Sequence, residues 1–291
     1  MEISKDMDGR DLRMDRVKRY MGMVIRVAGV CVLCTALAGL LMLFEGKEAE
    51  HQARVLFVGT KDDADCAVLL SLGYCVVIDT GEEQDGDHIL ALLKEVGVNR
   101  IDCLILTHPD KDHIGGASAL LEQMSIQLIV APYYSQQNDD YDALLGQVKA
   151  LGIDIMTPAR SRELNYGELS LRIWPPQETY YEQDNDYSLA VLAQHGDVKM
   201  FFAGDAQKKR IKELLTYHLP QVELYKVSYH GRNLKIGVQL IEAICPEYAV
   251  VTAEAPGGQI ERALLSADSQ IICTRGRDAV FVSNGRSLVL E

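Results

Sequence analysis

The chain is short of the features that mark a polyanion sink or a thiolate metal site. Basic residues are outnumbered: 29 Lys+Arg stand against 42 Asp+Glu in 291 residues, a formal net charge of −13. Nucleic-acid affinity is largely phosphate neutralisation, so a chain this acidic is a poor generic sink for polyanions, and any nucleic-acid reading has to overcome that charge. Aromatic residues make up only 7%, with a single Trp, and there are 8 Pro. No repeat or low-complexity stretch interrupts an otherwise ordinary mixture of 48% apolar and 24% charged residues, which excludes collagenous and disordered classes. No CxxC occurs in residues 51–291, so a thiolate zinc site is not indicated. The five cysteines of that region (Cys66, Cys75, Cys103, Cys245 and Cys273) sit mostly in apolar, strand-like runs, where a free Cys behaves as a small hydrophobe.

What is present is unevenly distributed. Residues 1–50 hold eight basic and eight acidic side chains, so the whole of the −13 lies in residues 51–291. Val27 to Phe44 is a run of eighteen residues without a charge, and Met21 to Ile25 extends it across Arg26. About 20 apolar residues span a bilayer as a helix, and an Arg near the end can snorkel to the interface. Six basic residues precede the run, and only Lys47 and Arg54 follow closely. The pattern therefore predicts a cytoplasmic segment over 1–20, a single-pass transmembrane anchor over 21–44 and an extracytoplasmic domain over 52–291. The rival reading is a cleaved signal peptide, with Ala36-Leu37-Ala38-Gly39 as its small-residue site. Against it, Leu40 to Phe44 continues the apolar run past that point.

Residues 54–291 alternate strand and helix patterns. Strands are expected at Arg54–Val58, Tyr74–Ile78, Ile101–Leu106, Leu128–Val130 and Ile153–Met156, with helices at Asp87–Val96, Gly115–Met124 and Tyr141–Leu151. Three more strands, Leu169–Trp174, Leu189–Gln194 and Lys199–Ala203, include a hairpin turned at His195-Gly196-Asp197-Val198. Helix Ala206–Tyr217, strand Leu224–Ser228, a helix ending at Ile244, strand Tyr248–Thr252, helix Ile260–Ala267 and two final strands complete the pattern. With no linker inside about 240 residues, this is one layered α/β domain.

Polar residues of metal-ligand type fall at the ends of apolar strands, where α/β sheets gather their sites. Thr107-His108-Pro109-Asp110-Lys111-Asp112-His113-Ile114-Gly115-Gly116 places His108, Asp110, Asp112 and His113 within six positions, with two glycines to let the chain bend into a helix. Phe201-Phe202-Ala203-Gly204-Asp205-Ala206 ends a strand in Asp205, although an Asp there also suits a helix N-cap. Lys226-Val227-Ser228-Tyr229-His230-Gly231 ends a strand in His230, and Val76-Val77-Ile78-Asp79-Thr80-Gly81 ends one in Asp79.

These four motifs, in this order, resemble the metallo-β-lactamase superfamily, and HxDxDH in place of HxHxDH resembles its ComEC-type branch, whose members carry this domain at the end of a DNA-uptake channel. The resemblance spans about residues 54–291. It implies a four-layer αββα metallo-β-lactamase-like sandwich, here preceded by one transmembrane helix, with two divalent metal ions at one edge. On this resemblance His108 and Asp110 face the first ion, while Asp112, His113 and His230 face the second. Asp205 bridges them, Asp112 is the candidate catalytic residue, and Asp79 holds the ligand loop by hydrogen bonds. The chain departs from the branch in several places. A DVGQGD-like opening is replaced by Val58-Gly59-Thr60-Lys61-Asp62-Asp63-Ala64-Asp65, and the usual His-His-Gly by Tyr229-His230-Gly231. Where a third histidine of the first site would stand, the chain reads Asn185-Asp186-Tyr187-Ser188. The first site is therefore expected to be the thinner of the two.

Histidine and carboxylate together suit zinc or manganese, and such ions activate water for hydrolysis. Lys208, Lys209 and Arg210, with Lys212 beside them, form a local basic cluster just after Asp205 that is a candidate contact for a phosphate backbone. Tyr133-Tyr134 and Tyr180-Tyr181 lie in loops and are candidates for base stacking. His51, His88, His195 and His218 are assigned no metal role. The reading that follows is a membrane-anchored metal-dependent phosphodiesterase or nuclease acting on DNA. Its partners would be the membrane, nucleic acid and other membrane proteins of DNA uptake. The alternatives are a metallo-hydrolase of another ester, lactone or amide, and a catalytically weakened binding or regulatory module.

Overall fold

A computed structural model describes Met21 and residues 51–291 of the chain. The expected cytoplasmic segment at 1–20 and, Met21 apart, the anchor at 21–44 lie outside the described residues. Among the described residues no helix is long and apolar enough to cross a membrane.

Two mixed sheets face one another. The first has eight strands: β17 (Leu288–Leu290), β16 (Ala279–Ser283), β1 (Ala53–Phe57), β2 (Ala67–Ser71), β3 (Tyr74–Ile78), β5 (Cys103–Ile105), β7 (Leu128–Val130) and β8 (Asp154–Met156), in that order across the sheet. The second has seven: β15 (Gln270–Cys273), β14 (Tyr248–Val251), β13 (Leu224–Lys226), β12 (Val198–Phe202), β11 (Ala190–His195), β10 (Leu169–Trp174) and β9 (Arg162–Tyr166). A short parallel pair, β4 (Arg100–Ile101) and β6 (Ser125–Ile126), stands apart. The strand period of two explains the layers. Val55 and Phe57 of β1 point between the sheets, and Leu56 points to the outer side. Met200 and Phe202 of β12 point between the sheets, and Phe201 outward. Such strands are apolar on both faces because both faces are covered.

Helices cover the outer faces. α1 (Gly86–Glu95), α3 (Ala117–Gln123) and α4 (Asp139–Ala150) bury Ile89, Leu93, Leu120, Leu144 and Val148 against the first sheet, with the single turn α2 (Lys111–Ile114) beside them. α5 (Lys208–Leu215), α6 (Lys235–Ile244) and α7 (Gly258–Ser266) bury Ile211, Leu214, Leu240, Ile241 and Leu264 against the second. The described domain is thus the αββα sandwich expected. Between the sheets, Phe57 stacks on Phe202 at 6.0 Å and meets Phe281 edge-on. Burying one such ring stabilises the fold by about 1.5–3 kcal/mol.

Where elements differ from expectation, polar groups explain the difference. The run Ile101–Leu106 is broken at buried Asp102, whose carboxylate accepts the Cys75 N–H at 2.9 Å and pairs with the Arg100 guanidinium. It therefore divides into β4 and β5. Strand β9 (RELNY) is a polar sheet edge and β2 is a short hairpin arm, and neither was anticipated. The helix expected at Gly115–Met124 starts at Ala117, and three strands rather than two follow α7.

Strands β3 and β5 of one sheet run parallel to each other, as do β12, β13 and β14 of the other. Their C-terminal ends carry Asp79, His108, Asp205, His230 and Thr252, all of which meet at one edge of the sandwich.

Candidate metal centre

Asp79 immediately follows β3 and adopts a left-handed conformation (φ 59°), which Asp tolerates better than most residues. That turn sends its carboxylate back across the sheet. Oδ1 accepts the Thr107 N–H at 2.7 Å, and Oδ2 accepts the Thr107 hydroxyl at 2.7 Å and His113 Nδ1–H at 2.8 Å. Thr107 has spent its proton on Asp79, so it accepts from His108 Nδ1–H at 3.1 Å. On the other sheet, Thr252 donates to Asp65 Oδ1 at 2.6 Å and accepts from His230 Nδ1–H at 3.0 Å. Each of the three imidazoles is therefore anchored through Nδ1 and turns Nε2 into the same space. An anchored Nδ1–H fixes the tautomer that leaves Nε2 free to ligate.

All three rings are fully buried, and the His108 and His113 ring centres are 4.0 Å apart. Nε2 of His108 and Nε2 of His113 have no hydrogen-bond partner. A buried polar atom without a partner is costly, and here two aim into one cluster. His230 Nε2 lies 2.9 Å from Asp205 Oδ2 and 3.1 Å from Asp112 Oδ2, while Asp205 Oδ1 lies 3.4 Å from His113 Nε2. Asp65, His113, Asp205 and His230 offer ligand atoms all within 4.8 Å of one another. Such an imidazole and carboxylate set fits a divalent transition ion such as zinc, manganese or iron.

The charges agree with that fit. Burial opposes charge on both rings. Around His113 the carboxylates of Asp79, Asp205 and Asp65 outweigh it and hold the ring well above its ordinary value. Around His230, Asp205 and Asp65 raise the ring to about 11. Burial would raise Asp205, but His230, Lys226 and His113 hold it well below the usual carboxylate range. The cluster holds its acids ionised and attracts positive charge.

The candidate residues separate into those brought together and those that are not. Asp112, His113, His230 and Asp205 converge, with Asp112 a quarter open to solvent (26%). His108 joins them through its neighbour His113. Asp110 lies at the rim, 32% exposed, with Oδ2 3.5 Å from His108 Nε2. Asp205 is not a helix cap. The N–H groups of Gln207, Lys209 and Arg210 at the start of α5 are taken by Asp186, so the Asp205 carboxylate is directed into the cluster instead. Gly115 and Gly116 are helical in φ rather than bent, so their role differs from the one expected. A Cβ at Gly115 would lie 2.4 Å from Glu83 N, and one at Gly116 would lie 2.3 Å from Thr80 O, so they permit close packing under the ligand loop.

The basic cluster needs correction. Lys208 and Lys209 are exposed, but Arg210 is fully buried. Its guanidinium donates to Ser188 O at 2.8 Å, Trp174 O at 2.7 Å and Glu213 Oε2 at 2.8 Å. It faces no substrate. Of the paired tyrosines, Tyr181 is buried and Tyr134 packs edge-on against Tyr141 and Tyr187, so only Tyr133 and Tyr180 are open. Two residues escaped the sequence reading. Asp65 belongs to the cluster, and Lys226 lies within it, buried against Asp65 and Asp205.

This fold, with imidazoles and carboxylates gathered at the strand ends between its two sheets, defines the metallo-hydrolase type of αββα protein. Residues 59–251, about two thirds of the chain, match the family model described as Metallo-beta-lactamase superfamily, and the chain belongs to that superfamily. Within it the chain groups with the ComEC-type proteins. It is 26% identical to ComE operon protein 3 of Bacillus subtilis (strain 168), over 81% of this chain and 32% of that one. It is 22% identical to Recombination protein 2 of Haemophilus influenzae, over 64% of this chain and 22% of that one. The match thus spans a third or less of either relative. Among solved structures, YhfI of Bacillus subtilis, a metallo-beta-lactamase fold protein, aligns over 80% of this chain and all of its own (TM-score 0.54, 10% identity). A mutant of the CmlA beta-hydroxylase aligns over 78% of this chain and 53% of its own (TM-score 0.53, 11% identity). At these identities the two structures speak for the fold alone.

Proposed function

We propose that the domain is a metal-dependent phosphodiesterase acting on single-stranded DNA, held at a membrane by residues 21–44. The observation that carries the hydrolase reading is the convergence of three buried Nε2 atoms on buried carboxylates. His108, His113, His230, Asp205 and Asp112 would hold the ion. When bound, the ion supplies Lewis-acid chemistry, drawing charge from a phosphoryl oxygen and making water nucleophilic near neutral pH.

The protein's own groups do the rest. Asp79 and Thr107 fix the orientations of His113 and His108, and Thr252 fixes His230. Burial of all three rings keeps bulk water from their ligating atoms. Asp112 is the one site carboxylate both in contact with His230 and open to solvent, so it is placed to take a proton from water at Oδ and return it to the leaving oxygen. For Asp112, burial alone would raise the carboxyl, but the hydrogen bond to His230 and the nearby His113 leave it lower than usual and ionised.

Phosphodiester as substrate is supported by the carboxylate-rich donor set, by Lys208 and Lys209 exposed three and four positions after Asp205, and by exposed Tyr133 for stacking. It also agrees with relatives named for the ComE operon and for recombination. The membrane reading rests on the uncharged run Val27–Phe44.

The test is cleavage of end-labelled single-stranded DNA by the full chain with added manganese or zinc, beside a panel of carboxylic esters and lactones. DNA cleavage that is abolished by chelator and by His113→Ala or Asp112→Asn is the expected result. Turnover confined to the small esters would overturn the substrate. Carbonate-resistant association of the chain with membranes checks the anchor.

A further inference from the structure

Lys226 is the last residue of β13, and its side chain is buried at 4% exposure where a surface lysine would be solvated. Its ammonium meets three acceptors: an Asp65 carboxylate oxygen in direct contact, Asp205 Oδ1 at 3.2 Å and the Gly204 carbonyl at 3.1 Å. An ammonium has three N–H donors, and all three are used. We infer that the Lys226 ammonium fills one of the two cation positions of the cluster, so that the chain binds a single divalent ion. This rests on the reading that the site binds metal.

Three observations support it. In two-metal hydrolases a carboxylate held between the ions offers one oxygen to each, with the ions about 3.5–4 Å apart. Here Asp205 offers Oδ1 to the ammonium and Oδ2 to His230. Asp65 is a member of the ligand cluster by distance, but both its oxygens are engaged, Oδ2 by Lys226 and Oδ1 by the Thr252 hydroxyl. A second ion would have to displace a strong ion pair to reach it. Finally, the buried carboxylates that touch the histidines of the cluster are Asp65, Asp79 and Asp205. One ammonium and one divalent ion together balance them, whereas Asp110 and Asp112 reach water and are screened.

The experiment counts metal. The full chain, stripped with chelator, is titrated calorimetrically with manganese and with zinc, and its content is measured by elemental analysis after dialysis. The same is done for Lys226→Met, which keeps the length without the charge, and for Lys226→Arg. Expected are one equivalent in the wild type, two in Lys226→Met and one in Lys226→Arg. Two equivalents in the wild type, or one in both the wild type and a folded Lys226→Met, overturn the inference while leaving the hydrolase reading intact. No metal in any of the three, with native circular dichroism, overturns the hydrolase reading as well. If Lys226→Met does not fold, the wild-type count still decides between one ion and two.

Discussion

Arg210 is where two readings of one residue predict opposite measurements. As part of a basic cluster following Asp205 it would contact phosphate, and its loss would raise KM and flatten the salt dependence without touching stability. In the structure it is a buried guanidinium that ties Ser188 O, Trp174 O and Glu213 together, and Ser188 Oγ in turn accepts the Asp205 N–H at 3.1 Å. Arg210→Met keeps most of the volume but leaves two buried carbonyls without a donor and Glu213 without its cation. Removing one partner of a buried ion pair costs about 3–5 kcal/mol. Glu213 keeps the Tyr181 hydroxyl and the Gln177 N–H, which places the cost toward the lower figure. At about 2–4 °C per kcal/mol for a domain of this size, Tm falls by about 6–20 °C. The assay is urea and thermal denaturation, read beside the metal affinity, which also weakens because Asp205 loses its Ser188 support. Lys208→Ala and Lys209→Ala serve as controls: surface changes stay within about 0.5 kcal/mol of wild type. A Tm loss under about 2 °C for Arg210→Met, with a raised KM for DNA, would refute the reasoning and restore the surface reading.

Other outcomes follow from the same contacts. Asp79→Asn loses an acceptor for His113 Nδ1–H and Thr107, and is expected to weaken metal binding by about 10–100-fold, as calorimetric titration would show. Among the cysteines of residues 51–291, Cys245 is exposed and should react with a disulfide reagent in the native protein. Cys66, Cys75 and Cys103 should react only after denaturation, since burial pushes the thiols of Cys75 and Cys103 up to about 12 and that of Cys66 well above normal. Hydrogen bonds from His51 and then His195 hold the Glu168 carboxyl below its ordinary value. A depressed carboxyl stabilises the fold above its unfolded pKa of about 4.3 and loses that contribution as pH falls through the lower folded value. A melting series should therefore show Glu168→Gln less stable than wild type at pH 6 and indistinguishable from it at pH 3; a constant gap across the series would count against the pairing.

The ligand motifs could be read because each sits directly after an apolar run, where the strand ends and the chain must turn. Asp79, His108, Asp205 and His230 needed only the strand pattern to place them at one edge. Asp65 needed more. It precedes β2, and β2 was missed because AVLLS is short and its Ser71-Leu72-Gly73-Tyr74 turn lacks the Asn-Gly or Asp-Gly signal of a tight hairpin. Yet Gly73 at φ 79° and the strand at Tyr74 were clues. An arm antiparallel to β3 must begin at the edge where β3 ends, which puts Asp65 beside Asp79. Arg210 failed for the opposite reason. At 100° per residue, Lys208 to Lys212 sweep round the whole helix, so four basic residues among five positions cannot all face solvent. Ile211 and Leu214 define the buried side, and Arg210, adjacent to the first and four before the second, belongs with them. Lys226 shows the limit of pattern alone. A lysine ending an apolar strand looks solvated in sequence, and only the approach of Asp65 and Asp205 from two different loops makes it an internal cation. Burial of charge is decided by tertiary pairing, which a one-dimensional hydropathy pattern does not carry.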